Sequence, residues 1–239
     1  MSKTIIRHYG PRAYSDHPPF HYPAYKSTVK RNPNQELLRI VQTLTESTGP
    51  GPIWTEITGE DSDLTTNAGK GGQAIGERII VTGRVLDENG NGVPNTILEV
   101  WQANAAGRYL HWRETEFDAP LDPNFIGVGQ CITDGEGVYR FTTIKPGPYP
   151  WGNHPNAWRP AHIHFSVFGP SLGNRLVTQM YFEGDPLLGL DPIYQSAPEH
   201  SRHRMVAAYD HDVTEEAWAL GWRWDIVLRG EESMLEVPE

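Results

Sequence analysis

From residue 77 onward, clusters of Gly, Asn, Asp and Pro cut the chain into short runs of β-branched and aromatic residues, and this punctuation restricts the folds open to it. "RIIVTGRVL" and "NTILEVWQA" flank "DENGNGVP", whose residues tolerate positive φ and signal a hairpin. "GQCIT" and "VYRFTTI" flank "DGEG", "AHIHFSVFG" and "RLVTQMYF" flank "PSLGN", and "RWDIVLRG" closes the set. About seven strands at hairpin spacing predict a mainly β fold, an antiparallel β-sandwich. The 24 glycines and 20 prolines among 239 residues exceed average use and agree with a turn-rich architecture.

Before residue 77 the pattern differs. Residues 1–31 are rich in Pro, His and Tyr ("YSDHPPFHYPAY") and show no period, so they read as an extended arm that lies on another surface. In "NPNQELLRIVQTL", Asn32 can cap a helix, Pro33 suits its first position, and Leu37, Ile40, Val41 and Leu44 make one apolar face. Residues 48–76 read as loop, and "PEHSRHRMVAAYD" as one or two helical turns. The expected division is 1–76, an arm, short helix and loop packing on a partner chain, and 77–239, a β-sandwich catalytic domain.

Composition excludes several functions. The formal charge is −10, which argues against binding a phosphate backbone, since that needs clustered Lys and Arg. One cysteine, Cys131, rules out an intrachain disulfide and thiolate-based zinc or iron–sulfur sites, and fits a reducing compartment. "MSKTIIRHYG" lacks the apolar core of a signal peptide, and no apolar run approaches the roughly 20 residues of a membrane span. The expectation is a cytoplasmic protein with no membrane and no nucleic-acid partner.

Within "RPAHIHF", His162 and His164 share one face of a strand, about 6.6 Å apart, with Ile163 and Phe165 on the other. Two imidazoles so placed can converge on one metal ion, or they can decorate a solvated edge strand. Neither thiolates nor a helical H-E-x-x-H spacing is available to complete a metal site. Two tyrosines stand in loops just after strands: Tyr109 in "GRYLH" and Tyr149 in "KPGPYPW", where Pro and Gly stiffen the chain. A free phenol has a pKa of about 10, so ionising it at pH 7 costs roughly 4 kcal/mol. A hard trivalent cation can supply that. Each tyrosine alone is equally well an amphipathic ring capping the sandwich edge.

"WQANAAGRYLH", "LDPNFIGVGQCITDGEGVYRFTTIKPGPYPW", "WRPAHIHFSVFG" and "QMYFEGDPL" resemble the core of the intradiol ring-cleaving dioxygenases, in particular the β chains of their protocatechuate-cleaving branch. The likeness covers most of residues 75–230 and, more loosely, "HPPFHYPAYKSTVKR". It implies a β-sandwich and a mononuclear non-haem Fe(III) held by Tyr109, Tyr149, His162, His164 and a hydroxide, with Tyr149 and His164 axial. Arg159 matches an arginine that steadies negative charge developing on the substrate, and Gln179 matches a residue whose amide supports that guanidinium. Tyr25, Trp151 and Ile193 match residues lining the substrate pocket. A related α chain without the iron ligands is the implied partner, in an α–β protomer assembled into a higher oligomer.

The resemblance further implies that a catechol chelates the iron, displacing the hydroxide and Tyr149, which carry away its two protons. Ring opening by O2 between the hydroxylated carbons then gives 3-carboxy-cis,cis-muconate from protocatechuate. Three positions depart from the commoner pattern: Leu110 and Gly152 stand where arginine is usual, and Asp191 where cysteine is frequent. These changes leave 4-sulfocatechol as an alternative substrate. Two further readings are a non-catalytic sandwich subunit, which would need no ferric ion, and a His-ligated zinc hydrolase, which would be colourless and need no oxygen. His8, His17, His21, His154, His200, His203 and His211 are assigned no role and read as exposed loop residues.

Overall fold

The computed structural model describes residues 16–36, 38, 57–112, 114, 117–168, 175–228 and 234. Of the helix expected at 32–44, residues 32–36 and 38 are described and are not helical, and the rest lies outside the described residues. The strands are β1 (Arg78–Leu86), β2 (Ile97–Trp101), β3 (Val128–Ile132), β4 (Val138–Ile144), β5 (Tyr149–Pro150), β6 (Trp158–Arg159), β7 (His162–Phe168), β8 (Arg175–Phe182), β9 (Val206–Tyr209), β10 (Leu220–Arg223) and β11 (Ile226–Val227). A short helix, α1 (Pro192–Ser196), and two 3-10 turns, Lys26–Lys30 and Glu199–Met205, complete the described elements. The molecule is mainly β, as the strand pattern indicates.

Strands β3, β2, β7 and β8 lie side by side in one run, and β4, β1, β10 and β9 in another. The core fills the space between: Ile79, Val81, Leu98, Val100, Phe141, Ile163, Phe165 and Met180 are all buried there. Burying each such side chain contributes about 1.5–3 kcal/mol. The rings of Phe141, Tyr139 and Trp224 meet Phe165 edge-on at 5.9, 6.2 and 4.8 Å. Leu64, from the segment before β1, is fully buried in the same cluster.

The sheet is mixed rather than antiparallel. β1 pairs with β10 and β11 in parallel, and β8 pairs with β9 in parallel. The turns predicted at 87–92 and 134–137 form, held by Asp87 and Asp134 carboxylates that accept hydrogen bonds from Asn89, Asn91, Glu136 and Val138 backbone N–H groups. The strands flanking them do not pair as hairpins, however. β4 and β10 occupy the edges of β1, so β2 crosses to pair with β3 and β7. Of the three predicted hairpins, only that of β7 with β8 forms as an antiparallel ladder. "PEHSRHRMVAAYD" divides into a 3-10 turn and β9, and "RWDIVLRG" spans the end of β10 and all of β11.

The break between β10 and β11 explains Gly83. A Cβ there would lie 1.8 Å from the Trp224 carbonyl oxygen, which accepts a 2.6 Å hydrogen bond from the Tyr139 hydroxyl. Cys131 sits in the core of β3, and burial pushes its thiol pKa up to about 12. The native protein should therefore resist alkylation by iodoacetamide at pH 8 and react stoichiometrically once unfolded in guanidinium, as read by mass spectrometry. Rapid native labelling would contradict this packing.

Candidate functional site

β7 is buried on both faces, and β2 and β8 pair with its two edges. His162 and His164 therefore lie on a buried face, 2% and 7% exposed, and the solvated-edge reading does not hold. Their ring centroids are 4.8 Å apart. His162 Nδ1 lies 2.7 Å from the Pro160 carbonyl, which fixes the proton on Nδ1 and leaves the Nε2 lone pair directed at Tyr149. Burial, then the nearby Arg159 charge, holds His162 well below its ordinary pKa, so its imidazole is neutral. His164 stacks on Trp101 at 4.9 Å with planes 8° apart.

Tyr109 arrives on a loop and Tyr149, expected in a loop, opens β5; the segments carrying them interlock through glycine. Gly107 has φ 81°, and a Cβ there would lie 2.3 Å from the Pro148 carbonyl; a Cβ on Gly147 would lie 2.3 Å from that of Ala105. Asn104 ties the pair together. Its carboxamide oxygen accepts from the Ala106 and Arg108 N–H groups, and its backbone carbonyl accepts from Gly147. No motif in the sequence marks Asn104; a polar residue just past a strand and before a Gly is the only signal.

These segments bring the Tyr109 hydroxyl to 3.0 Å from His164 Nε2 and the Tyr149 hydroxyl to 3.4 Å from His162 Nε2. The two tyrosine rings meet edge-on at 5.5 Å. Burial raises the Tyr149 pKa, partly offset by Arg159. Among the described residues no three His, Cys, Asp or Glu side chains form a metal-holding group. Any cation here would rest on two imidazoles and two phenols, a set that suits a hard, highly charged ion able to ionise the phenols.

Arg159 ends β6, 4% exposed, beside this cluster. Its Nη2 donates to Gln179 Oε1 at 2.5 Å and to the Tyr181 hydroxyl at 3.1 Å, and its Nε donates to Asp191 at 3.2 Å. Burial opposes its charge, but Tyr181 and Asp191 outweigh that and keep it protonated. Gln179 thus touches Arg159. Tyr181 and Asp191 are further anchors whose contacts with Arg159 no sequence motif indicates.

Tyr25, Trp151 and Ile193 also come together. Tyr25 and Ile193 are buried in a satellite cluster with Tyr181, and Trp151 packs against it. The Tyr25 and Trp151 rings are 5.5 Å apart, and the Arg159 guanidinium lies 5.6 Å from the Trp151 ring. Leu110 is exposed and Gly152 is exposed, and neither brings charge to the site. The arm is fastened here by Asn153, whose side chain accepts from the Lys26 N–H at 2.9 Å and donates to the Ala24 carbonyl at 2.7 Å. A second clasp joins Asp16 to His200 and Arg204, so His200, although largely exposed, has a structural contact. Asn153→Ala should leave the sandwich folded at a cost of about 1–3 kcal/mol and make residues 16–31 markedly easier to cleave in limited proteolysis. Unchanged cleavage would show that the clamp is dispensable.

Family models described as Dioxygenase and as Protocatechuate 3,4-dioxygenase beta subunit N terminal match residues 50–230 and 11–43. The chain is 56% identical over 232 residues to the protocatechuate 3,4-dioxygenase beta chain of Burkholderia cepacia, covering 97% of each. It is 31% identical to chlorocatechol 1,2-dioxygenase of Rhodococcus opacus, over 62% of this chain and 60% of that one. The crystal structure of 3-chlorocatechol 1,2-dioxygenase from Rhodococcus opacus 1CP superposes with a TM-score of 0.55 at 25% identity, covering 75% of this chain and 70% of that one. That of hydroxyquinol 1,2-dioxygenase from Pseudomonas putida DLL-E4 shares the fold, with a TM-score of 0.55, 22% identity and coverage of 86% and 70%. The β-sandwich, the two matching family models and the extended identity agree: this chain belongs to the intradiol ring-cleaving dioxygenases, a family dependent on non-haem iron.

Proposed function

We propose that this chain is the iron-bearing β subunit of an enzyme that inserts O2 into protocatechuate and opens the ring between its two hydroxylated carbons, giving 3-carboxy-cis,cis-muconate. The observation that carries the reading is the meeting of Tyr109, Tyr149, His162 and His164 at 3.0 and 3.4 Å, on a buried face beside Arg159. These four would hold one mononuclear ferric ion. When bound, that ion supplies Lewis acidity, ionising the phenols, chelating both catechol oxygens and making the ring reactive toward O2.

The chain's own groups then have distinct tasks. His162, held by the Pro160 carbonyl, offers a fixed neutral Nε2. Tyr149 would serve as the proton acceptor: burial raises its pKa, which would favour a catechol proton moving to its Oη. Arg159 is held by Gln179, Tyr181 and Asp191 before substrate arrives, so it stabilises developing oxyanion charge without reorganising. Tyr25, Trp151 and Ile193 wall the apolar side of the ring and exclude water. The arm, fastened to this chain through Asn153 and Asp16, is also the surface offered to an α chain in an α–β protomer, within a larger oligomer. No helix among the described residues is long and apolar enough to cross a membrane, and the single buried cysteine suits a reducing cytoplasm.

The test is the visible absorption of the protein co-expressed with its α partner, before and after anaerobic protocatechuate. A broad phenolate-to-iron band that shifts on addition is expected. A band responding to 4-sulfocatechol but not to protocatechuate would move the substrate; a sample colourless after iron reconstitution would contradict the reading. Tyr149→Phe should keep iron and lower kcat by about a hundredfold or more.

A further inference from the structure

Among the described residues Arg159 is the only buried Lys or Arg, and only two carboxylates, Asp87 and Asp191, are buried. Asp87 is occupied within its own turn by Asn89 and Asn91. Asp191 is different: it is fully buried, and its partners belong to the site. Its Oδ2 accepts from Arg159 Nε at 3.2 Å and lies 3.3 Å from the Tyr181 hydroxyl. Its Oδ1 accepts from the Ile193 N–H at 3.1 Å, capping α1 and fixing the backbone that carries the Ile193 side chain. One carboxylate therefore connects the guanidinium with the pocket wall.

Capping alone does not require a charge here. Asn and Ser cap helices as well as Asp does, and a buried ion pair is weak evidence for stability, because desolvation consumes most of the attraction. What only the carboxylate supplies is cancellation of the Arg159 charge. The Arg159–Asp191 pair brings four or more hydrogen-bond contacts but no net charge to the pocket.

The geometry points to Asp191 as a specificity-determining residue: by neutralising Arg159 it keeps that guanidinium from attracting an anionic ring substituent and reserves it, as an oriented donor, for the reacting oxygens. This chain's own contribution to the pocket is thereby indifferent to whether the catechol carries an acidic group. Any preference for such a group then comes from elsewhere in the assembly. The inference rests on the catechol reading above, and its test separates the two.

The experiment compares anaerobic dissociation constants of the iron-loaded α–β complex for protocatechuate and for its methyl ester, which lacks the ring carboxylate charge, by calorimetry. Asp191→Asn keeps the cap and a side-chain acceptor for Arg159 while removing the charge. An uncompensated charge beside the pocket acts through an effective dielectric of about 20, so preference for the acid over the ester should rise about tenfold. Asp191→Ser, a second neutral cap, should shift it the same way and serves if the Asn variant yields too little folded protein. A ratio unchanged in the folded variants, or affinities for both ligands altered by one common factor, would overturn the role and leave Asp191 as a structural anchor. A wild type that binds neither ligand would contradict the catechol reading itself, and this inference with it.

Discussion

The protein depends on β7 being enclosed on both faces. A half-buried strand would spend its polar face on water; here Ile163, Phe165 and Val167 enter the core while His162, His164 and Ser166 are buried on the opposite side. Burying two imidazoles is costly unless they are neutral and have partners. The Pro160 carbonyl, the stacked Trp101 ring and the tyrosine hydroxyls meet that requirement. The same arrangement leaves lone pairs and ionisable phenols facing one point, which is what a metal-dependent reaction needs.

A second layer of order surrounds that point. The segments bearing Tyr109 and Tyr149 approach so closely that Gly107 and Gly147 admit no side chain, and Asn104 bonds across the gap between them. The arm, joined through Asn153 next to the Tyr149 loop, brings Tyr25 against Trp151. The proposed iron site and the substrate wall are thus held by the same short stretch of chain. Arg159 is fixed from the other side by β8 and by the cap of α1. Preorganisation of this kind costs stability during folding rather than during the reaction.

Much of this was legible in the residues, though unevenly. Strand positions were, since apolar alternation reports which segments are extended. Strand partners were not: both turn signals at 87–92 and 134–137 were sound, yet the flanking strands part company because pairing is decided by which edges remain open, a tertiary fact. The H-x-H face was readable from period two, but whether it met water or protein depended on what covers β7. Tyr109 and Tyr149 stood out only by their loops and through the family resemblance. Asn104, Asn153 and Tyr181 gave no sign, because a polar side chain that bonds distant backbone looks like any other loop or strand residue. Asp191 was noticed as a departure from pattern; its pairing with Arg159 needed coordinates.

Tyr109, Tyr149, His162 and His164 are proposed to hold a single iron ion. Anomalous diffraction at the iron edge from crystals of the iron-loaded α–β complex tests it directly. One peak per β chain is expected, within bonding distance of both tyrosine hydroxyl oxygens and both histidine Nε2 atoms. A peak elsewhere, or iron bound without either tyrosine, would contradict it.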